Sequence, residues 1–244
     1  MRAAWRGELL KIATVRGQWI SAALAAVTIP LTSLLVAASG GISATESVTA
    51  GAATGSVVGL LAFGSWGGVV AASEYSRQTL VVSLATVPRR TVLYGAKLAA
   101  TTAVAAAGSL VSALVAFLVV LAVTPHAAHR IGDPAALLSI TLAVVAITAV
   151  GVSAGILTRS PAASIAAVFA AVLLPQLAGG LLGSLQPWVV GASPGPVITQ
   201  LVGNSTLGAD QTFPPGAGAA AIVLAAVAVA VAACGGYALL RRDG

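Results

Sequence analysis

The sequence carries very little charge for its 244 residues. Only 7% of the residues are charged and 58% are hydrophobic, whereas a soluble domain typically carries about 25% charged residues. So few charges cannot keep a globule of this size in water, and the mean hydropathy of +1.02 agrees. The composition therefore excludes an ordinary soluble protein and predicts an integral membrane protein.

The small numbers of cysteines and histidines and the arrangement of the basic residues exclude further kinds of site. The single cysteine, Cys234, cannot form an intramolecular disulfide. Both histidines, His126 and His129, lie in a predicted outer loop, and two histidines alone do not make a metal site. The net charge of +6 is not arranged as a basic stripe interleaved with aromatic residues, so we expect no bound metal and no nucleic-acid partner.

Six apolar runs are long enough to cross a bilayer, which requires about 20 residues per helix. The sequence thus predicts an all-α membrane protein with one domain, 1–244, and six transmembrane helices. The first run is too long for a signal peptide and five runs follow it, so we interpret it as a retained span. The predicted spans are 19–38, 51–72, 99–123, 134–157, 162–185 and 216–240.

Lysine and arginine lie almost entirely on one side of this six-span arrangement. Of the twelve basic residues, only Arg130 falls in an outer loop. Basic residues near the spans stay in the cytoplasm, so both termini are predicted to be cytoplasmic. The Ala-, Gly- and Val-rich composition with only two lysines is typical of bacteria, which predicts a multi-pass protein of the cell inner (cytoplasmic) membrane.

Segments outside the spans also have recognisable patterns. Residues 1–17 place Trp5, Leu9 and Ile12 on one helical face, which predicts an interfacial helix; the alternative is a charged start that only fixes topology. Residues 186–215 are apolar and rich in proline, and Trp188 favours the membrane interface. We therefore expect short re-entrant outer helices there.

The sizeable inner connection is the segment 73–92, between spans two and three. Leu80, Val81, Leu84 and Val87 recur at helical spacing between a charged start and a Pro-Arg-Arg stop. This pattern predicts a short amphipathic cytoplasmic helix parallel to the membrane. Such a helix can pass a movement from a soluble partner into the bundle.

The same segment resembles the signature of type-2 ABC transporter permeases. The resemblance lies in Glu74-Tyr75-x-x-x-Thr79-Leu80, Leu84, Pro88-Arg89-Arg90 and Lys97. Residues 6–11, Arg-Gly-Glu-Leu-Leu-Lys, resemble the N-terminal interfacial helix of that family, and the predicted topology is similar along the whole chain. Gln78 departs from the pattern, because glycine is common at that position.

The resemblance implies the transmembrane permease subunit of a bacterial ATP-driven ABC exporter. Its implied partners are two copies of an ABC ATP-binding subunit, a second permease subunit, identical or homologous, and membrane lipids. The segment would be the coupling helix that docks on the ATPase, where its arginines would meet acidic residues or phospholipid; the alternative is that they only set topology. The implied coupling residues are Glu74, Tyr75, Arg77, Thr79, Leu80, Leu84, Pro88, Arg89 and Arg90.

A carboxylate at the inner end of span two is costly unless it is paired. Arg77 lies one turn after Glu74 and is the local candidate for an ion pair.

The chain lacks the phosphate-binding sequence G-x-x-x-x-G-K-[ST]. We therefore expect no enzyme activity and no cofactor in this chain, with ATP and Mg handled by the partner subunit. Residues 151–155 match G-x-S-x-G, but that nucleophile elbow needs a strand–turn–helix that the middle of a span cannot provide, so no catalytic residue is expected.

Small residues within the spans indicate where helices approach each other closely. We expect such packing at Gly55, Gly59, Gly151 and Gly155.

Polar residues within the spans are few, which favours a hydrophobic or amphipathic substrate such as a drug, lipid or peptide. The best candidates for the substrate path are Pro175, Gln176, Thr32 and Ser56. For the Pro-Gln pair, a role in helix packing is an equally good interpretation.

Two other classes of function remain open, an ATP-independent secondary transporter or channel and a membrane scaffold without transport. Ion-coupled carriers usually keep ionisable residues at membrane depth. All six acidic residues here fall outside the predicted spans or at their ends, which argues against proton or sodium coupling. They are Glu8, Glu46, Glu74, Asp133, Asp210 and Asp243.

Overall fold

The computed structural model describes residues 2–43, 46–76, 90–124, 130–203 and 207–242. Within these ranges it is helical and forms no strand, apart from an isolated bridge between Ser47 and Arg130. The α-helices are α1 (Arg2–Thr14), α2 (Arg16–Ala38), α3 (Val48–Ala53), α4 (Ser56–Ser76), α5 (Arg90–Val123), α6 (Leu138–Thr158), α7 (Pro161–Leu177), α8 (Gln186–Val190), α9 (Pro194–Val202) and α10 (Ala217–Arg242).

Five helical segments of the described chain are long and apolar enough to cross a membrane. They are Arg16–Ala38, Val48–Tyr75, Arg90–Val123, Pro134–Thr158 and Ala217–Arg241. Their outward faces are apolar, as lipid contact requires. The chain is thus an all-α membrane-embedded protein, as its composition predicts.

The helix in the predicted fifth span is shorter than the predicted run of residues 162–185. Instead of continuing over 162–185, α7 is a 17-residue helix that ends at Leu177. Two single 3₁₀ turns follow it, and Gly183 between α7 and α8 has a positive φ of 52°. Left-handed backbone of this kind is open to glycine at little cost and cannot continue an α-helix.

The other long helices also differ in detail from the predicted runs. The second run is divided into α3 and α4 at Thr54 and Gly55, and the third helix begins at Arg90 rather than at residue 99. Because α5 starts so early, its first two turns lie next to the end of α4.

The centre of the bundle is a close crossing of α4 and α6. A Cβ atom added to Gly151 would overlap the backbone carbonyl of Gly64, and one added to Gly155 would lie 2.5 Å from the carbonyl oxygen of Gly68. The two backbones are therefore in direct contact, which only glycine permits. More than half of each of these two spans is buried, whereas α2 and α10 are largely exposed.

A second close contact joins α4 to α2. A Cβ atom at Gly55 or at Gly59 would overlap Ile29, which is completely buried. The four glycines singled out in the sequence thus all lie at helix–helix contacts.

The two ends of the bundle differ in character. Charged side chains from α1, α4 and α5 meet at one end, which we call the charged end. At the opposite end lie α3, α8 and α9, and α3 is held to residues 130–131 by backbone hydrogen bonds, such as Val48 N–H to the Arg130 carbonyl at 2.7 Å.

The described residues of the segment 186–215, which are 186–203 and 207–215, form a packed cap at that opposite end. The Gln200 side chain donates to the Gly191 carbonyl at 2.8 Å and accepts from the Phe213 N–H at 3.1 Å. The Phe213 ring also meets Trp188 edge to face, with 5.4 Å between centroids. Two short helices, α8 and α9, lie within this segment.

The Gly151 contact can be tested by adding one methyl group. We expect Gly151→Ala to lower the free energy of unfolding by about 1–3 kcal/mol, because the new Cβ must displace the backbone of α4. Thermal unfolding in detergent micelles measures the effect. Gly218→Ala is the matched control, since nothing lies within 4 Å of its added Cβ. Equal melting temperatures for the two variants would contradict the close contact.

Candidate functional site

Two glutamates and two lysines meet at the charged end in a single network, which we call the charge cluster. It consists of Glu8 and Lys11 from α1, Glu74 from α4 and Lys97 from α5. The Lys97 Nζ donates to Glu8 Oε2 and to Glu74 Oε1, both at 2.7 Å. The Lys11 Nζ donates to Glu8 Oε1 at 2.7 Å and to Glu74 Oε1 at 3.2 Å.

Helix geometry explains how four residues so distant in sequence come together. Glu8 and Lys11 are three residues apart, so they share one face of α1. Glu74 lies in the last turn of α4, and Lys97 lies about two turns into α5. The cluster therefore fastens α1 across the end of one long helix and the beginning of the next.

Three of the four side chains are removed from solvent. The exposed fractions of the side chains are 6% for Glu8, 9% for Glu74 and 6% for Lys97, against 40% for Lys11. Buried charges are tolerated only when they are paired and hydrogen-bonded. Two carboxylates and two ammonium groups give a cluster with no net charge, so each member compensates the burial of the others.

The two groups on α1 have pKa values that reflect this pairing. Burial by itself disfavours the charged Glu8 carboxylate, but attraction and hydrogen bonds from Lys97 and Lys11 outweigh it and lower the pKa of Glu8 below 4.5. Burial also disfavours charged Lys11, yet Glu8 and Glu74 outweigh it and raise the pKa of Lys11 above 10.5. Both groups are therefore charged at neutral pH.

Further polar contacts near the cluster join α4 to α6, and α5 to α6 and α10. The Arg159 guanidinium lies over the Tyr75 ring, 5.2 Å from its centroid, and links α6 to α4. The Tyr94 hydroxyl donates to the Ala232 carbonyl at 2.6 Å and lies 3.2 Å from Ser153 Oγ. The Arg90 guanidinium donates to the Leu239 carbonyl at 3.5 Å, so the start of α5 is also fastened to α10.

The arrangement is suited to holding helices together. Each carboxylate of the cluster accepts from both lysines, so its charge is already compensated. Among the described residues there is also no group of three His, Cys, Asp or Glu side chains that could hold a metal ion. What the cluster can do is make α1, α4 and α5 move as one unit.

The predicted coupling residues are only partly within the described ranges. Glu74 is in the cluster, and Tyr75 and Arg90 lie beside it. Arg77, the predicted local partner of Glu74, lies outside the described residues, and the described partners of Glu74 are Lys11 and Lys97. The other predicted coupling residues outside the described ranges are Thr79, Leu80, Leu84, Pro88 and Arg89. His126 and His129, for which no metal site is expected, also lie outside those ranges.

Sequence reasoning did not bring Glu8, Lys11 and Lys97 together as a site. A signal for them exists, because the chain has only two lysines and both lie at the predicted cytoplasmic side with Glu8 and Glu74. A buried glutamate at the end of a span needs a cation, and lysines that are so scarce are natural candidates.

The residues predicted to line a substrate path are not brought together. A cavity of about 340 Å³ lies between α6, α7 and α10, and Pro175 is one of its lining residues, whereas Thr32, Ser56 and Gln176 are not. The Thr32 hydroxyl donates to the Thr28 carbonyl at 2.8 Å, within its own helix. The Gln176 amide makes a similar local bond to the Val172 carbonyl at 3.5 Å.

The G-x-S-x-G match lies within a continuous helix. Residues 151–155 lie inside α6, a continuous helix over Leu138–Thr158, and Ser153 donates to the Ala149 carbonyl at 2.7 Å. A nucleophile elbow requires a turn between a strand and a helix, which this part of the chain does not form.

Comparisons with models of protein families, with curated proteins and with solved structures find no match to this chain.

Removing the most buried cation tests the charge cluster. We expect Lys97→Met to lower the free energy of unfolding by about 3–5 kcal/mol, because Glu8 and Glu74 would remain buried with only half-exposed Lys11 as partner. Thermal unfolding and trypsin cleavage at Arg6 and Arg16 report the release of α1. Lys11→Met is the control and should have a smaller effect. If the Lys97→Met variant had the same melting temperature and the same resistance to trypsin as the wild type, the stabilising role of the cluster would be contradicted.

The lowered pKa of Glu8 predicts a dependence of stability on pH. A carboxyl group whose pKa is lower in the folded state contributes stability that is complete above its ordinary value of 4.5 and is lost as the pH falls through the folded pKa. We therefore expect the advantage of the wild type over Glu8→Gln in melting temperature to be constant from neutral pH down to about 4.5 and to shrink below it. A difference independent of pH would rule out this contribution.

Proposed function

We propose that this chain is the transmembrane permease subunit of an ATP-driven ABC exporter. It would work with a second permease subunit, identical or homologous, and with two ATP-binding subunits that supply ATP and Mg. Its charged end would face the cytoplasm, with both termini on that side of the cell inner membrane.

The observation that carries this proposal is the charge cluster around the connection between α4 and α5. Glu74 lies just before residues 77–89 and Lys97 lies shortly after them, and both are bonded to Glu8 of α1 directly or through Lys11. A force applied to that connection by an ATPase would therefore reach α1, α4 and α5 together.

The route from this end into the bundle is equally direct. The helix α4, which carries Glu74, contacts α6 backbone to backbone at Gly64 and Gly151. Such a contact leaves no compressible side chains between the helices, so a displacement of α4 must also move α6. This is the mechanical link that a transporter driven from its cytoplasmic end requires.

The proposal includes six spans, with α7 as the short fifth one. A helix of 17 residues is about 26 Å long, slightly less than the hydrocarbon thickness of about 30 Å. The apolar turns from Gly179 to Leu185 would occupy the remaining depth on the outer side.

An ATP-independent secondary transporter or channel is the alternative function. Buried ionisable residues near a membrane often bind coupling ions, and Glu8 and Glu74 are such residues. Their charges are balanced by two lysines, however, which leaves less attraction for a cation. A carrier of this kind would transport in liposomes without nucleotide, whereas the proposed subunit would not.

The proposed ATPase partner can be sought by purification of the tagged protein from its native host in mild detergent. We expect a stoichiometric ATP-binding subunit, identified by mass spectrometry. We expect its recovery to fall at least about tenfold, equivalent to about 1.4 kcal/mol, when Arg77 and Arg89 are both replaced by alanine. The reason is that these arginines would contact acidic residues of the ATPase.

The matched control replaces Arg241 and Arg242, which lie at the same end of the bundle but outside the connection between α4 and α5. This variant should keep the partner. A wild-type preparation that contains this chain alone, under conditions that preserve other membrane complexes, would overturn the proposed function.

A further inference from the structure

The cavity between α6, α7 and α10 lies away from the charge cluster, in the other half of the bundle. Its walls include Val150 from α6, Ala171 and Pro175 from α7, and Val227 from α10, and Trp188 closes it at the capped end. At about 340 Å³ it falls within the range of about 300–1,000 Å³ typical of small-molecule sites.

The lining of this cavity is apolar. Among the lining residues only Ser193 and Trp188 have side chains with a polar atom. The Ser193 hydroxyl already donates to the Val190 carbonyl at 2.6 Å and is buried. A charged or strongly polar ligand would lose its hydrogen bonds to water here and gain few in return. The apolar lining therefore favours a hydrocarbon ligand.

The mouth of the cavity opens onto the surface that faces lipid. Val227 lines the cavity and is nevertheless 52% exposed, and Trp188 and Val189 are exposed as well. The neighbouring outward residues on α7 and α10, Leu174 and Val229, are exposed and apolar. A ligand can therefore enter sideways from the bilayer without crossing water.

We propose that this cavity binds one hydrocarbon chain of a membrane lipid, whose headgroup lies at the level of Trp188. Tryptophan at the capped end places this level at the membrane interface. In the orientation proposed above the lipid belongs to the outer leaflet, but binding itself does not depend on the proposed ATPase or on transport.

Packing supplies the driving force for this binding. Inside a membrane the hydrophobic effect contributes little, and association depends mainly on close contact between atoms. An empty cavity forfeits dispersion contacts along its whole lining, and a flexible alkyl chain restores them. A helix of a second copy does not fit as well, because a single turn about 10 Å across and 5.4 Å long already fills ~420 Å³.

The test uses a phospholipid that carries a photoactivatable diazirine on one acyl chain, incorporated into vesicles with the whole protein. Mass spectrometry of the cross-linked peptides should place adducts preferentially on the cavity walls, within 171–175 and 223–231. A phospholipid labelled on its headgroup should react instead near Trp188.

Two matched variants on α10 separate cavity binding from ordinary contact with lipid. Val227→Trp fills the cavity, whereas Val229→Trp adds the same bulk at a lipid-exposed position that does not line it. We expect acyl-chain labelling of 171–175 to fall about tenfold in Val227→Trp, equivalent to about 1.4 kcal/mol, and to be unchanged in Val229→Trp.

Wild-type protein alone gives a second measurement if Val227→Trp does not fold. In mixed micelles, labelling of the cavity should saturate as the fraction of lipid rises, while labelling of the exposed face of α5 at Leu118 should rise in proportion. Uniform, unsaturable labelling would overturn the proposal. So would efficient disulfide dimers of Val227→Cys in a Cys234→Ser background, because they would show a second copy at the mouth.

Discussion

Charge neutralisation at one end of the bundle is the constraint on which the rest of this structure depends. The chain contains two lysines, and both are used to balance Glu8 and Glu74. A membrane protein with only 7% charged residues can bury carboxylates only where cations meet them. The position of α1 and the early start of α5 both follow, since each brings one lysine to the same point.

Two kinds of contact hold the helices together, each in a different part of the bundle. At the charged end, ion pairs join helices that would otherwise have little reason to associate, because lipid solvates their apolar sides as well as a neighbouring helix does. In the middle, glycines let α4 approach α6 and α2 until backbone meets backbone or a buried side chain. A cavity of about 340 Å³ beside Trp188 lies away from these contacts.

Several of these features could be predicted from the sequence because they depend on local patterns. Long apolar runs gave the spanning helices, and Gly55, Gly59, Gly151 and Gly155 could be singled out because small residues recur at helical spacing. The end of α7 at Leu177 could not be read in the same way, because the sequence stays apolar after it. Helix ends depend on backbone conformation, which hydropathy does not register, and here two single 3₁₀ turns follow the last residue of α7.

The partners of Glu74 in the candidate site could also not be identified from the sequence alone. From the sequence, the nearest cation along the helix was the natural choice, since residues three or four apart meet on a helix face. The described partners come instead from α1 and from the second turn of α5, and such pairs depend on how whole helices pack.

The order of synthesis gives the charge cluster one further consequence. Its members lie at positions 8, 11, 74 and 97, so the ribosome must complete α1 to α4 and part of α5 before every charge of the cluster has its partner. Until Lys97 has been made, the cluster consists of two glutamates and one lysine. All four charges of the cluster can therefore be paired only after nearly a hundred residues have been made.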